Sequence, residues 1–244
     1  MLHWLEEHPV AFPAVEEALD EPNGLLAAGG ALTPEWLLTA YVHGIFPWFN
    51  AEDPILWWTP DPRMVLYPSE FRCRRSLAKR IRNGGFTLRF NTAFKNVMAY
   101  CGTLRDDTWI SPRMVKAYYT LHTLGYAHSV EIWRDGDLVG GLYGIALGRV
   151  FYGESMFSRC PDASKVALAH LAALPAEYAF TVIDCQVYSD HLARLGARKI
   201  DRDTFNGLLQ HHASLERWHP PCTPHLIRQD SDNVAHSQPQ SMDD

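Results

Sequence analysis

The segment HSVEIWRDGDLVGGLYGIALGRVFYGESMFS, residues 128–158, limits the fold more than any other part of the chain. Its alternating apolar runs are broken by Asp135-Gly136 and by Gly148, both signals for tight reversals. It predicts three consecutive strands joined by hairpins, so the chain must build a sheet around this meander. Within the last strand, VFYGESMFS, a carboxylate interrupts the apolar pattern. Period two puts Phe151, Gly153, Ser155 and Phe157 on one face and Tyr152, Glu154, Met156 and Ser158 on the other. An unpaired ionised carboxylate in a core costs several kcal/mol, so Glu154 calls for an arginine partner or a water-filled cleft.

The flanking segments supply more strands and the helices that cover them. MVLYP and FTLRFN read as strands. TWISPRMVKAYYTLHTLGY reads as a helix capped by Ser111, with Pro112 at its first position and Gly125 at its end. DASKVALAHLAALPAEY is a second helix, FTVIDCQVY a strand and SDHLARLG a short helix stopped by Gly196. In FTVIDCQVY, Val182, Asp184, Gln186 and Tyr188 share a face, where an acid can orient an amide or take a proton itself. Cys185 faces the other, apolar way, as a core thiol. This mixed order of strands and helices predicts an α+β fold. GGLYGIALG lies inside strands rather than between a strand and a helix, which excludes a dinucleotide loop.

Residues 1–62 differ from the rest. Pro9, Pro13, Pro22, Pro34, Pro47, Pro54, Pro60 and Pro62 punctuate a small, irregular N-terminal domain. One helix stands out in it, with Thr33 as N-cap, Pro34 at the first position and Gly44 as the stop. FPWF follows, placing Trp48 on a loop as either a packing plug or a stacking surface. Residues 63–224 form the second predicted domain. The polar stretch 225–244 is expected to be a flexible acidic tail.

The net charge of −6 argues against indiscriminate binding of nucleic acid, with one local exception. FRCRRSLAKRIRNGG gathers Arg72, Arg74, Arg75, Lys79, Arg80 and Arg82 without an acid, on a predicted helix anchored by Leu77 and Ile81. This run is either a solvated face or a phosphate platform. Five scattered cysteines lack any CxxC or Cys/His spacing, so reduced thiols and no metal are expected. The start MLHWLEEHPV has no leader pattern, and no run approaches the roughly 18 apolar residues of a membrane span; a cytoplasmic location is expected.

The strings EPNGLLAAGG, GIFPWF, ILWWTPDPR, GTLRDDTWIS, LVGGLYG, YGESMFS, DASK and IDCQV, in this order across about residues 10–210, resemble the leucyl/phenylalanyl-tRNA–protein transferase family. The resemblance implies an enzyme that moves Leu or Phe, less often Met, from aminoacyl-tRNA to the N-terminal Arg or Lys of acceptor proteins. That addition marks them for degradation by the bacterial N-end rule. It also implies a second domain like the GCN5-related acetyltransferases, used without acetyl-CoA or another cofactor; a monomer is expected. Carried across, the catalytic pair falls on Asp184 and Gln186, with Glu154 lining the site. The tryptophans that approach the terminal adenosine fall on Trp48 and Trp109, and the pocket for the transferred side chain on Leu142, Met156, Leu168 and Leu171. The basic run would hold the tRNA body. Leu142, Leu171 and Ser189 stand where the best-known members carry Met, Phe and Asn.

An aminoacyl ester is already activated, so positioning and one general base suffice in kind. The expectation is that Asp184 attracts or deprotonates the incoming amine, directly or through Gln186. Two rivals are weighed. An acetyl-CoA-dependent N-acetyltransferase needs a pyrophosphate loop that SRCPDASKVAL does not offer, and a non-catalytic RNA-binding module leaves Asp184, Gln186 and Glu154 unexplained.

Overall fold

The computed structural model describes residues 2–103 and 109–222. The predicted tail at 225–244, and the middle of GTLRDDTWIS, lie outside the described residues. The N-terminal part contains β1 (His3–Leu5), β2 (Leu25–Gly29), α1 (Pro34–Val42), β3 (Phe46–Pro47) and β4 (Leu56–Trp58). Then follow β5 (Arg63–Leu66), α2 (Arg75–Asn83), β6 (Thr87–Phe90), α3 (Phe94–Thr103) and α4 (Pro112–Thr123). The predicted meander is β7 (Ala127–Arg134), β8 (Asp137–Leu147) and β9 (Val150–Ser158). The chain continues through α5 (Ala163–Ala172), β10 (Val182–Gln186), α6 (Asp190–Arg194), β11 (Arg198–Ile200) and α7 (Arg202–His212).

Among the described residues these strands form two sheets, a four-stranded one of order β1-β2-β4-β3 and a seven-stranded one of order β11-β5-β10-β9-β8-β7-β6. The fold is α+β, as expected. The N-terminal part, expected to be irregular, holds a sheet of its own, built of strands two to five residues long that carry too few residues to show a period. Phe46-Pro47 of the expected loop pairs with Trp58 and Trp57, so FPWF begins as an edge strand rather than a turn.

Caps written into the sequence act as read. Thr33 Oγ1 accepts from Trp36 N at 3.4 Å, and Ser111 Oγ accepts from Met114 N at the same distance. α3 and α7 were not expected. Asp201 caps α7, accepting from Thr204 N at 2.6 Å. The carboxylate that caps α3 comes from β7: buried Glu131 accepts from Ala93 N at 2.7 Å, Ser129 Oγ at 2.8 Å and Trp133 Nε1 at 3.1 Å, and from Thr92 Oγ1. A cap supplied from another element leaves no local signal.

Each face of the large sheet has its own core. Val65, Tyr143, Ile145, Val150, Tyr152 and Val182 face α1, α3 and α4, in a cluster that runs into the N-terminal sheet through Trp36 and Trp57. Met64, Leu66, Leu142, Ala146, Phe151 and Ile183 face α5 and α2. Between them lies the one pairing in this sheet that is parallel, β9 with β10, matching Val182 to Val150, Ile183 to Phe151 and Asp184 to Tyr152. There the pairing stops, and both strands bulge within two residues. β9 shifts register against β8 so that Glu154 is its extra residue, and β10 shifts against β5 so that Cys185 is.

The first bulge overturns the simple alternation. Tyr152 packs with one core and Met156 with the other, and Phe151 and Phe157 are likewise on opposite sides. Glu154 and Met156 therefore do not share a face; an inserted residue reverses every later side chain.

Candidate active site

Where β9 and β10 part, a cleft of about 740 Å³ opens. It is lined from both faces of the sheet: Phe46, Trp48 and Trp109 on one side, Leu142, Met156, Leu168 and Leu171 on the other, with Glu154, Asp184 and Gln186 at the parting strands. The expected catalytic and substrate-binding residues are thus brought together. Trp48 is 42% exposed at the rim, so it is not a buried plug, and its ring lies 5.6 Å from that of Trp58. Its carbonyl accepts from Trp58 Nε1 at 2.6 Å. Leu142 and Met156 are direct cross-strand partners, and α5 brings Leu168 and Leu171 over the same face.

The polar end is a connected network. Asp184 is wholly enclosed and takes two bonds from Arg63, Nε to Oδ1 at 2.8 Å and Nη2 to Oδ2 at 2.7 Å. Its Oδ1 also accepts from Gln186 N at 2.9 Å. Both oxygens of the enclosed Asp184 are thus engaged, and through Oδ1 it is tied to Gln186. Gln186 sits at φ +61°, a left-handed conformation that costs a non-glycine residue energy and that the Asp184 bond to its N–H helps to hold. Its Nε2 donates to Glu154 Oε1 at 3.1 Å.

Glu154, half-buried and facing the cleft, has no cation paired with it among the described residues. Tyr41 OH donates to Oε1 at 2.7 Å and Tyr118 OH to Oε2 at 3.0 Å, and the two hydroxyls touch each other. Burial pushes the carboxyl up to about 7. The tyrosine bonds pull it down, the charge of Asp184 pushes it up, and the Gln186 amide pulls it down. Burial also holds Tyr41 and Tyr118 well above the ordinary phenol value, so both stay protonated as donors. With Glu154 ionised, both phenol protons point at the carboxylate and the contact between the hydroxyls has none. One added proton completes the triangle, which suits it to take up and release a proton near neutrality.

Arg63, Tyr41 and Tyr118 escaped the sequence reading. Both tyrosines sit at apolar helix positions, and Arg63 follows two prolines as a surface turn would. Cys185 half-faces the cleft, but burial raises its thiol far from the thiolate form. The basic run lies apart from the cleft lining. Its helix begins at Arg75, the first of the cations read at helical spacing; Arg72 and Arg74 precede it, and Leu77 and Ile81 anchor it to the α5 face. Arg72, Arg74, Arg75, Lys79 and Arg82 are exposed and Arg80 half-buried, and among the described residues none forms an ion pair.

A cleft with an apolar pocket at one end and a carboxylate and amide at the other defines a site for a ligand that joins an apolar side chain to a reacting polar centre. Comparisons agree. Residues 65–210 match the family model described as leucyl/phenylalanyl-tRNA protein transferase, and residues 30–61 match the model for its N-terminal domain. Proteins named leucyl/phenylalanyl-tRNA–protein transferase are 64% identical in Chromohalobacter salexigens, over 88% of this chain and 85% of the relative, and 58% identical in Azoarcus sp., over 89% and 91%. The chain belongs to the leucyl/phenylalanyl-tRNA–protein transferase family. Among solved structures, a GCN5-related N-acetyltransferase from Kribbella flavida is similar at 15% identity, over 68% of this chain and 60% of that one, with a TM-score of 0.33, too low to bear on function. Among the described residues no helix is long and apolar enough to cross a membrane.

Proposed function

We propose that the protein transfers Leu or Phe, and less often Met, from aminoacyl-tRNA to the N-terminal Arg or Lys of acceptor proteins, marking them for N-end rule degradation. The observation that carries this reading is the cleft itself, which is lined by Trp48, Trp109, Glu154, Gln186 and the four apolar pocket residues at one parting of the sheet. The terminal adenosine stacks against Trp48 and Trp109, and the transferred side chain enters between Leu142, Met156, Leu168 and Leu171. The ester carbonyl then lies near Gln186 and Glu154.

The acceptor's amine attacks that carbonyl and must shed a proton, while the ribose oxygen leaves with the electron pair of the broken ester bond. Glu154 takes the proton, its two tyrosines easing the change of charge, and returns it to the departing ribose oxygen, which leaves as a hydroxyl, while Gln186 holds the amine or the carbonyl in line. Asp184 contributes through Gln186. The exposed cations of α2 and the preceding turn hold tRNA phosphates without reading bases. A monomer working in the cytoplasm suffices, with the small N-terminal domain ending near residue 62.

The test is to incubate the protein with radiolabelled Leu-tRNA and peptides beginning with Arg or with Ala. Label on the Arg peptide alone is expected; no transfer to either, with a known family member active in parallel, overturns the reading.

A further inference from the structure

The ion pair behind the cleft is the part of the network that the expected chemistry leaves unused. Arg63 is 1% exposed. Its guanidinium lies between two aromatic rings, 4.7 Å from the centroid of Phe46 and 4.8 Å from that of Phe205, while Nε and Nη2 grip Asp184. Nη1 has no hydrogen-bond partner among the described residues. A charge placed so deep with one N–H group unpaired is not the arrangement that maximises stability, since an apolar pair of similar volume would fill the space without the desolvation cost.

What this arrangement does achieve is alignment of three strands. Asp184 and Gln186 are on β10, Phe46 is on β3 one residue before the Pro47-Trp48 rim of the cleft, and Arg63 itself opens β5. We propose that Arg63 is a positioning residue for the transfer reaction: its bidentate grip holds Asp184 so that Gln186 keeps its left-handed turn toward Glu154, and its stacking on Phe46 sets the Trp48 rim against that polar centre. The inference rests on the reading that the cleft transfers aminoacyl groups. Arg63 touches no substrate. It acts through Gln186 and Phe46, and the guanidinium is required because a lysine ammonium offers neither the planar fork nor the flat face for stacking.

The test compares wild type, Arg63→Lys and Arg63→Met with Leu-tRNA and an Arg-initiated peptide, at a temperature where circular dichroism shows each folded. If Arg63→Met does not fold, Arg63→Lys carries the test alone. A displaced Gln186 lowers kcat by about 100-fold in Arg63→Met, with KM for the donor changed far less. Arg63→Lys keeps the charge and falls between the two. The rate profile against pH adds a second readout. Loss of the counter-ion changes the charge that bears on Glu154, so the acidic limb leaves its wild-type position in Arg63→Met, and Asp184→Asn moves it lower. A folded Arg63→Lys with wild-type kcat and an unmoved limb overturns the proposal. Failure of wild type to transfer overturns the functional reading instead, and the two failures cannot be confused.

Discussion

At the cleft and just behind it, Glu154, Asp184, Gln186, Arg63 and the two tyrosines meet with nearly every polar atom assigned to a partner; along α2 and the turn before it, by contrast, six cations stand without one ion pair among the described residues. Enclosed polar groups are fixed in direction and shifted in proton affinity, which suits chemistry at one atom. Exposed cations are free in direction and screened by salt, which suits diffuse attraction to a chain of phosphates. A single change in the first region should therefore alter turnover, and several in the second should alter affinity.

The sharpest break is Glu154→Gln, which keeps the shape and removes the proton acceptor. Turnover should fall by about 10²–10⁴-fold, and the decline of wild-type rate below its carboxyl value of about 7 should vanish from the pH profile. Next is the joint replacement of Arg75, Lys79 and Arg82 by alanine. It should weaken tRNA binding and reduce the slope of log affinity against log salt by about 2–3, while transfer from an aminoacyl-adenosine is unchanged. Equal loss with both donors would erase the contrast between the two regions. Trp48→Ala tests the boundary between them: loss of one stacking surface should cost about 1–3 kcal/mol of binding with the short donor as well as with tRNA.

The smallest effect concerns stability. Burial lowers His128 and His170 from 6.5 to about 4, so unfolding takes up protons between those values. Their contribution, at most about 3 kcal/mol each, is whole above pH 6.5 and is lost as pH falls toward 4. Glu154 acts in the opposite sense, because the folded state holds its proton more tightly than the unfolded chain between 4.5 and about 7, and stability falls as pH rises through that window. Thermal melts of wild type and Glu154→Gln should accordingly separate above pH 7, with the variant the more stable.

Local signals carried most of the helices and the meander into the structure: Thr33-Pro34 and Ser111-Pro112 start their helices, and Asp135-Gly136 turns β7 into β8, with both residues at positive φ. The pocket residues were legible through family motifs. What was not legible is non-local. Nothing near Phe94 announces that Glu131 will cap its helix, and nothing near Arg63 announces Asp184, 121 residues later. Alternation placed Glu154 and Met156 together because it assumes an uninterrupted ladder, and the shift between the Tyr143–Ser155 and Gly144–Gly153 pairs is a property of two strands at once.

That shift means that β9 is written in two reading phases, with Glu154 as the frame change between them. Deleting this one residue would bring Tyr152 and Phe157 into phase on one core and Phe151 and Met156 on the other, leaving a regular strand where the cleft now begins. Spacing along the backbone, and not only the chemistry of the side chains, thus shapes the site: a one-residue deletion here would give β9 a single phase against β8 and leave the bulge of β10 as the remaining irregularity at the parting.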